Sequence, residues 1–343
     1  MPDELSNNDS FSNCSGQNCQ QTQSSQTDKT AELVILWVII IVGVFGNSLV
    51  IAVVKMIRGM RSTTNYLLVN VAAADITTLF FTAIHFIAAR HRSLSPSALN
   101  SFLCKFIYTN TITLVTLLVT ALTLTLLAVE RHQALVKPMT SSRRLTTDKI
   151  GYVIAAIWVV SLALVSPLFV TYNFDPKTFC SLGKEDGKIV VYVYCLMVIL
   201  TVIPFIVIAF CYSQIIYGMY FKKTICNNKS ERGDTREETR EKRRLVRVLI
   251  LLTLVFFVAF IPYGILIILK YSKINNRSVG RLQYGSQYLT LLNCSVNPFI
   301  YAFQSSSYRR SFVFIFKKML CRDTTVDARE LREMHSHNSV RSV

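Results

Sequence analysis

Charge is what this sequence has least of. Only 17% of its 343 residues are Asp, Glu, Lys or Arg, while 51% are hydrophobic. A soluble chain of this size carries more charge, so that class is excluded. Residues 1–30 have no apolar core, so no cleavable signal peptide is expected and the first apolar block is expected to direct insertion. No His or Cys group has metal-ligand spacing, there is no nucleotide loop, and no Ser-His-Asp set could meet on one side; the chain is not expected to be an enzyme. No internal repeat with broken helices is visible, which argues against a small transporter or channel. The formal charge of +17 comes from basic residues scattered between apolar blocks, a poor footprint for nucleic acid.

The apolar residues fall in seven blocks of about 20, the length that crosses roughly 30 Å of hydrocarbon. The spans are expected at 33–57, 66–88, 104–131, 149–170, 189–220, 245–270 and 282–303. Of the 37 Lys and Arg residues, 26 fall on one side. Three lie in the first loop (Lys55, Arg58, Arg61), five from Arg131 to Lys149, ten from Lys222 to Arg247 and eight from Arg309 on. The positive-inside rule then puts the N-terminus outside and the C-terminus in the cytosol. Sequons at Asn8, Asn13 and Asn276 agree with that side as glycosylation sites, while those at Asn228 and Asn293 fall where glycosylation cannot occur.

The expected architecture is an all-α membrane protein. It has a disordered outer tail at 1–30, a seven-transmembrane helix bundle at 31–303, an amphipathic interfacial helix at 304–321 and a disordered cytoplasmic tail at 322–343. The outer loop 171–188 carries turn signals at Asp175-Pro176 and Asp186-Gly187 and allows a short hairpin. The charged segment 222–247 is read as extensions of spans 5 and 6 around a mobile middle. After span 7, YRRSFVFIFKKML is aromatic on one side and basic on the other. Cys321 at its end is a candidate for palmitoylation, with an idle cysteine the competing reading.

Chemistry concentrates in a few intramembrane polar residues. Glu130-Arg131-His132 stands where span 3 leaves the membrane, and charge at that depth is costly. Asp75 is the one acid deep in the bundle and must protonate or find a cation and donors. Pro204, Pro262 and Pro298 each remove a helix hydrogen bond and permit a kink.

Set in order, these markers resemble the rhodopsin-like family of G-protein-coupled receptors over about residues 31–321. They are Gly46-Asn47, Asn70, Asp75, Cys104, Glu130-Arg131-His132, Trp158, Pro204 with Tyr212, Phe256 with Phe260-Ile261-Pro262-Tyr263, and Asn297-Pro298-Phe299-Ile300-Tyr301. The style of the spans is similar to neuropeptide receptors of the galanin, allatostatin and somatostatin kind. The resemblance implies a receptor in the plasma membrane. It would take an extracellular ligand, activate heterotrimeric G proteins by outward movement of span 6, and meet arrestin and receptor kinases.

It also implies roles for single residues. Cys104 and Cys180 would form a disulfide on the oxidising side. Cys14 and Cys19 either pair with each other or stay free. Asn47, Thr120, Asn293 and Asn297 match positions that surround a sodium ion beside an acid such as Asp75; a neutral Asp75 hydrogen-bonded to the amides is the alternative. Arg131 would leave Glu130 and, with Tyr212 and Tyr301, line a crevice for the G protein, while Phe256 and Phe260 repack. Met139 is a candidate apolar contact for the same partner. Basic residues of the third inner loop either attract that partner or bind anionic lipid of the bilayer.

Departures from the family pattern carry expectations too. His132 replaces a tyrosine, Phe260 replaces a tryptophan, and Lys242 stands where many members place an acid opposite Arg131. Its absence favours basal activity. Cys104 lies two residues further from Arg131 than usual, which implies a shifted or bulged start to span 3. No acid stands near Thr111–Thr113, against an amine ligand, and Leu291 stands where an opsin has its lysine. The basic rim (His85, Arg90, Arg92, Lys105, Lys177, Lys184, Lys188) fits a peptide; an acidic or lipid ligand and a non-signalling decoy receptor are the alternatives.

Overall fold

Leucine, valine and isoleucine dominate the spans, and a backbone in lipid must satisfy its own polar groups, so these segments are helices. The computed structural model describes residues 16–90, 98–136, 145–175, 179–182, 187–221, 236–271 and 277–320. Helix α1 is Gly16–Met56, α2 is Thr63–Arg90 and α3 is Ala98–Leu103. A π-helical turn, Cys104–Tyr108, leads to α4, Thr111–Val136. Helix α5, Ile150–Thr171, passes into a hairpin of β1, Tyr172–Asp175, and β2, Phe179–Leu182. Then come α6, Gly187–Met197, a π-helical turn at Val198–Val202, and α7, Ile203–Ile216. The rest is α8, Arg236–Tyr271, α9, Arg277–Gln304, and α10, Ser306–Met319.

Six helical segments among the described residues are long and apolar enough to cross a membrane. The seventh, α9, falls short in composition because its inward face is polar. Ser286, Thr290, Asn293, Ser295 and Asn297 are all buried there against the bundle. Burying polar groups makes sense in a membrane, where lipid is as apolar as leucine and helices associate by packing and by hydrogen bonds. The outer faces carry the large apolar residues instead, among them Val159, Val198, Ile206, Leu254 and Val258.

Two expectations are corrected. The tail at 1–30 was expected to be disordered, yet α1 begins at Gly16. Between Gly16 and Gly43 there is no Gly or Pro, so a helix nucleated in the span can extend outward through the Gln- and Ser-rich stretch. Span 3 begins at Ala98 rather than Cys104, and the extra length is taken up by the π-helical turn and by Asn110, with φ 55°. A π turn holds one more residue per hydrogen-bonded loop, so it accommodates the displaced Cys104. The hairpin forms as allowed, with Phe174 opposite Cys180.

Small residues set how closely helices approach. A Cβ on Gly46 would lie 2.9 Å from Pro298 Cγ, so that glycine lets the kinked part of α9 rest on α1. Between α2, α4 and α5, Asn70 donates to Thr123 Oγ1 at 2.8 Å and accepts from Trp158 Nε1 at 2.9 Å. Interhelical hydrogen bonds in lipid contribute about 0.6 kcal/mol on average. Trp158→Phe is therefore expected to lower the thermal midpoint slightly, and Asn70→Ala, which breaks both bonds, to lower it more. Melting of the purified protein in detergent checks the order.

Candidate functional site

The sites are built where helices leave lipid. On the outer side, Cys104 in the π turn and Cys180 in β2 form a disulfide, with Cα atoms 5.5 Å apart. It ties the hairpin to the head of α4 beside a cavity of about 550 Å³. Glu32 of α1, Thr78, Thr82, His85 and Phe86 of α2, and Asn110 and Thr113 line one part of it. Tyr263 of α8 and Tyr288, Thr290 and Leu291 of α9 line another.

Of the expected rim residues, His85 lines the cavity. Among the described residues its lining holds no Lys or Arg, and its formal charge is the Glu32 carboxylate. Lys188 is exposed. Arg92, Lys177 and Lys184 lie outside the described residues, as does the side chain of Arg90. A cation at the mouth of a bundle keeps its hydration, and the described cavity wall is neutral but for Glu32.

Beneath the cavity, aromatic rings continue inward along α8. Tyr263 lies 6.3 Å from Phe260, and Phe260 stacks on Phe256 at 5.7 Å and 12°. Both phenylalanines are buried, and Pro262 interrupts the helix beside them. A push on Tyr263 meets tightly packed rings, which move by repacking rather than by compression.

Another connection runs through polar atoms. Thr78, in the cavity wall, shares a hydrogen bond of 2.6 Å with Thr116. It also contacts the Cys294 thiol, which lies against the Asp75 carboxyl. Asn297 donates to Asp75 Oδ2 at 2.7 Å. Asn47 donates to Gly43 O at 2.9 Å and to Cys294 O at 2.8 Å. The carbonyl oxygens of Asn47 and Asn293 are buried without a hydrogen-bond partner. Thr120 is buried on α4, one turn from Thr116 and within a turn of Thr123. A carboxylate, two unpartnered amide oxygens and a hydroxyl are oxygen donors of the kind a hard monovalent cation takes.

On the other side, Arg131 makes a forked pair with Glu130, Nε to Oε2 at 2.6 Å and Nη2 to Oε1 at 2.9 Å. It also donates to Thr64 Oγ1 of α2. His132 faces Phe210 of α7 with ring centroids 6.1 Å apart. Tyr212 is buried against Thr253 of α8. Tyr301 is buried, its hydroxyl has no hydrogen-bond partner, and its ring stacks on Tyr308 of α10 at 5.1 Å. Tyr308 also donates to Asn65 at 3.2 Å; burial pushes its phenol up, so it stays a neutral donor. Ser305 caps α10 by accepting from Tyr308 N at 3.4 Å.

Sequence reasoning missed Thr64, Glu32 and Thr78, which look like ordinary polar residues near helix ends or within a span. It also missed the contact of Arg244 Nε with Gln304 O, between the ends of α8 and α9. The expected sites at Asn8, Asn13, Met139 and Cys321 lie outside the described residues, as do Cys14 and the side chains of Cys19 and Lys242.

A helical bundle that crosses the membrane, with a hairpin tied by a disulfide to one helix head and an outer cavity between the helices, defines a multi-pass membrane receptor. The chain belongs to the 7 transmembrane receptor (rhodopsin family), whose model matches residues 46–301. It is similar to the human galanin receptor type 1, with 30% identity over 304 residues, 85% of this chain and 83% of that one. It is also similar to the rat pyroglutamylated RF-amide peptide receptor, with 25% identity over 83% and 70% of the two chains. The rabbit neuromedin-K receptor is 27% identical over 82% and 60%. The chain is therefore a signalling receptor of this family and not an enzyme.

Proposed function

We propose that this receptor takes a peptide in the cavity between α1, α2, α4, α8 and α9 and passes the signal to heterotrimeric G proteins. The cavity carries the reading. Its described wall offers threonine hydroxyls, Tyr263, Tyr288 and one acid, Glu32. That wall suits the uncharged or amidated end of a peptide with an aromatic side chain, and a basic group beside Glu32. An acidic or lipid ligand finds no Lys or Arg in the described wall, and one of the relatives is named as a receptor for a peptide. In this reading the protein sits in the plasma membrane with its N-terminus outside. Repacking of Phe256 and Phe260 lets α8 swing outward at Pro262 and frees Arg131, Tyr212 and Tyr301 to line the G-protein crevice. Arrestin and receptor kinases then act on the Ser- and Thr-bearing tail.

Cells expressing the chain would be screened with a peptide library for G-protein activation. Thr290→Trp, which fills the cavity, is expected to lower the potency of the peptide found by about tenfold or more, the scale of a lost buried anchor. An unchanged potency, or a response confined to small acids or lipids, overturns the reading.

The residues around Asp75 fit sodium. Asp75, Asn47, Asn293, Asn297 and Thr120 would hold the ion, which supplies a charge partner for the carboxylate and favours the packing it bridges. The purified receptor is expected to melt at a higher temperature in sodium chloride than in choline chloride of equal strength, and Asp75→Asn to remove the difference. Equal melting of the unaltered receptor in both salts would instead support the neutral, amide-bonded carboxyl.

A further inference from the structure

The inner half of α8 packs through apolar residues, with one exception. Thr253 is 5% exposed among Leu249, Leu252, Phe256 and Phe257, which are buried too. Its hydroxyl hydrogen is spent within the helix, on the Leu249 carbonyl at 2.8 Å. The oxygen can still accept, and the Tyr212 phenol of α7 lies against it. A phenol donates at neutral pH, so each group supplies what the other lacks.

The contact has a fixed place in the packing. Thr253 and Phe257 are four residues apart and share a face of α8, while Phe205 and Tyr212 are seven apart and share a face of α7. Phe205 meets Phe257 edge-on with ring centroids 5.2 Å apart, and Tyr212 meets Thr253 nearer the inner end. One contact between these helices is therefore apolar and the other polar. Rings can slide past one another, but a buried hydroxyl that loses its acceptor in lipid is costly.

Neighbouring polar groups are engaged elsewhere. Arg131 is bound to Glu130 of its own helix and to Thr64 of α2, so its partners do not include α8. Arg244 meets the Gln304 carbonyl, which ties the end of α8 to α9 and not to α7. The Tyr301 hydroxyl is buried without a partner, so it does not hold Tyr212 in this arrangement. A phenol released from Thr253 has two polar groups to turn to: Arg131, whose charge acts on it, and that unpartnered hydroxyl.

We propose that Thr253 is a positioning residue of the switch, which holds Tyr212 against α8 at rest and gives it up when the receptor couples. This rests on the reading above that Tyr212 lines the G-protein crevice once α8 has moved.

Thr253→Val removes the hydroxyl and keeps the branched shape, whereas Thr253→Ser keeps the hydroxyl. G-protein activation without ligand would be measured in cells at equal surface expression. Backbone hydrogen exchange over residues 245–257 would be followed by mass spectrometry on the purified full chain in detergent, which needs neither ligand nor G protein. Thr253→Val is expected to raise the signal and to speed the exchange by about threefold, the scale of one interhelical hydrogen bond in a membrane. Thr253→Ser is expected to leave both unchanged. Tyr212→Phe is expected to speed the exchange by the same factor, and the double change to add nothing, because the two break one contact. Thermal melting checks folding, and if Thr253→Val does not fold, the exchange of Tyr212→Phe decides. Unchanged exchange, a serine variant that behaves like the valine one, or additive effects of the two changes overturns the proposal. So does faster exchange with an unchanged signal in a receptor that couples. A receptor that activates no G protein under any condition overturns the reading of the crevice, and the exchange then decides by itself whether Thr253 holds Tyr212.

Discussion

Arg131→Ala is expected to abolish ligand-stimulated G-protein activation while leaving the receptor at the cell surface. The guanidinium is the cation at the inner end of α4, held by both oxygens of Glu130 and by Thr64. Its partners keep it desolvated without burying an uncompensated charge, since the pair is half-buried and still near water. When α8 moves away, the same fork can turn to the C-terminal carbonyls of an entering helix, where the helix dipole places negative charge. A charge-assisted hydrogen bond contributes about 1.5–3 kcal/mol, which corresponds to roughly a ten- to hundredfold loss of coupling. Arg131→Lys keeps the charge but loses the fork, so an intermediate loss is expected. Glu130→Gln weakens the restraint and should raise the signal without ligand. Activation by the alanine variant within twofold of the unaltered receptor, at equal surface expression, would show that Arg131 does not serve the coupling step.

Gly43→Leu should keep the receptor from reaching the surface. Gly43 lies on α1 against Ser295 of α9 and Leu79 of α2. A Cβ there would fall on Ser295 Oγ and stand 2.6 Å from Leu79 Cδ1 and 3.2 Å from Ser295 Cβ. Ser295 cannot simply rotate away, because its hydroxyl lies 3.0 Å from Ile39 O and 3.1 Å from Leu291 O, both available acceptors. Separating the helices would also disturb Asn47, which joins α1 to the Cys294 carbonyl, and through it the surroundings of Asp75. Even Gly43→Ala overpacks the contact, at a cost of about 1–3 kcal/mol. The double change Gly43→Ala with Ser295→Gly restores the space and is expected to recover much of the stability. Thermal melting in detergent would measure all three. An alanine variant that melts with the unaltered receptor would show that α1 and α9 do not approach so closely.

Several of the family markers turn out to be parts of joints rather than isolated signals. Gly46 and Pro298 are two sides of one contact, and Asn70 and Trp158 are hydrogen-bonded neighbours in a chain that ends on Thr123. Both pairs were visible as residue types, but their pairing was not. The displaced Cys104 was visible by counting, and the π turn is its structural form. A rim count of Lys and Arg pointed to cations, while the cavity wall presents Glu32 from α1, a residue that sits among polar tail residues in the chain.

By itself the sequence determined that the chain crosses a membrane repeatedly, because length and apolarity are local properties that add along the chain. It determined the order of the spans and the family, because the markers keep their places in that order. It did not reveal that span 7 turns a polar face inward, since a hydropathy average cannot separate a polar helix in water from one sheltered by its neighbours. Nor did it show that Thr64 meets Arg131, that four arginines share one cavity, or that Glu32 of the first span reaches the wall of the outer cavity. Those facts depend on how each helix is rotated and how closely it approaches the next. Rotation and approach are set by side chains from segments far apart in the chain, and only the packed bundle brings them together.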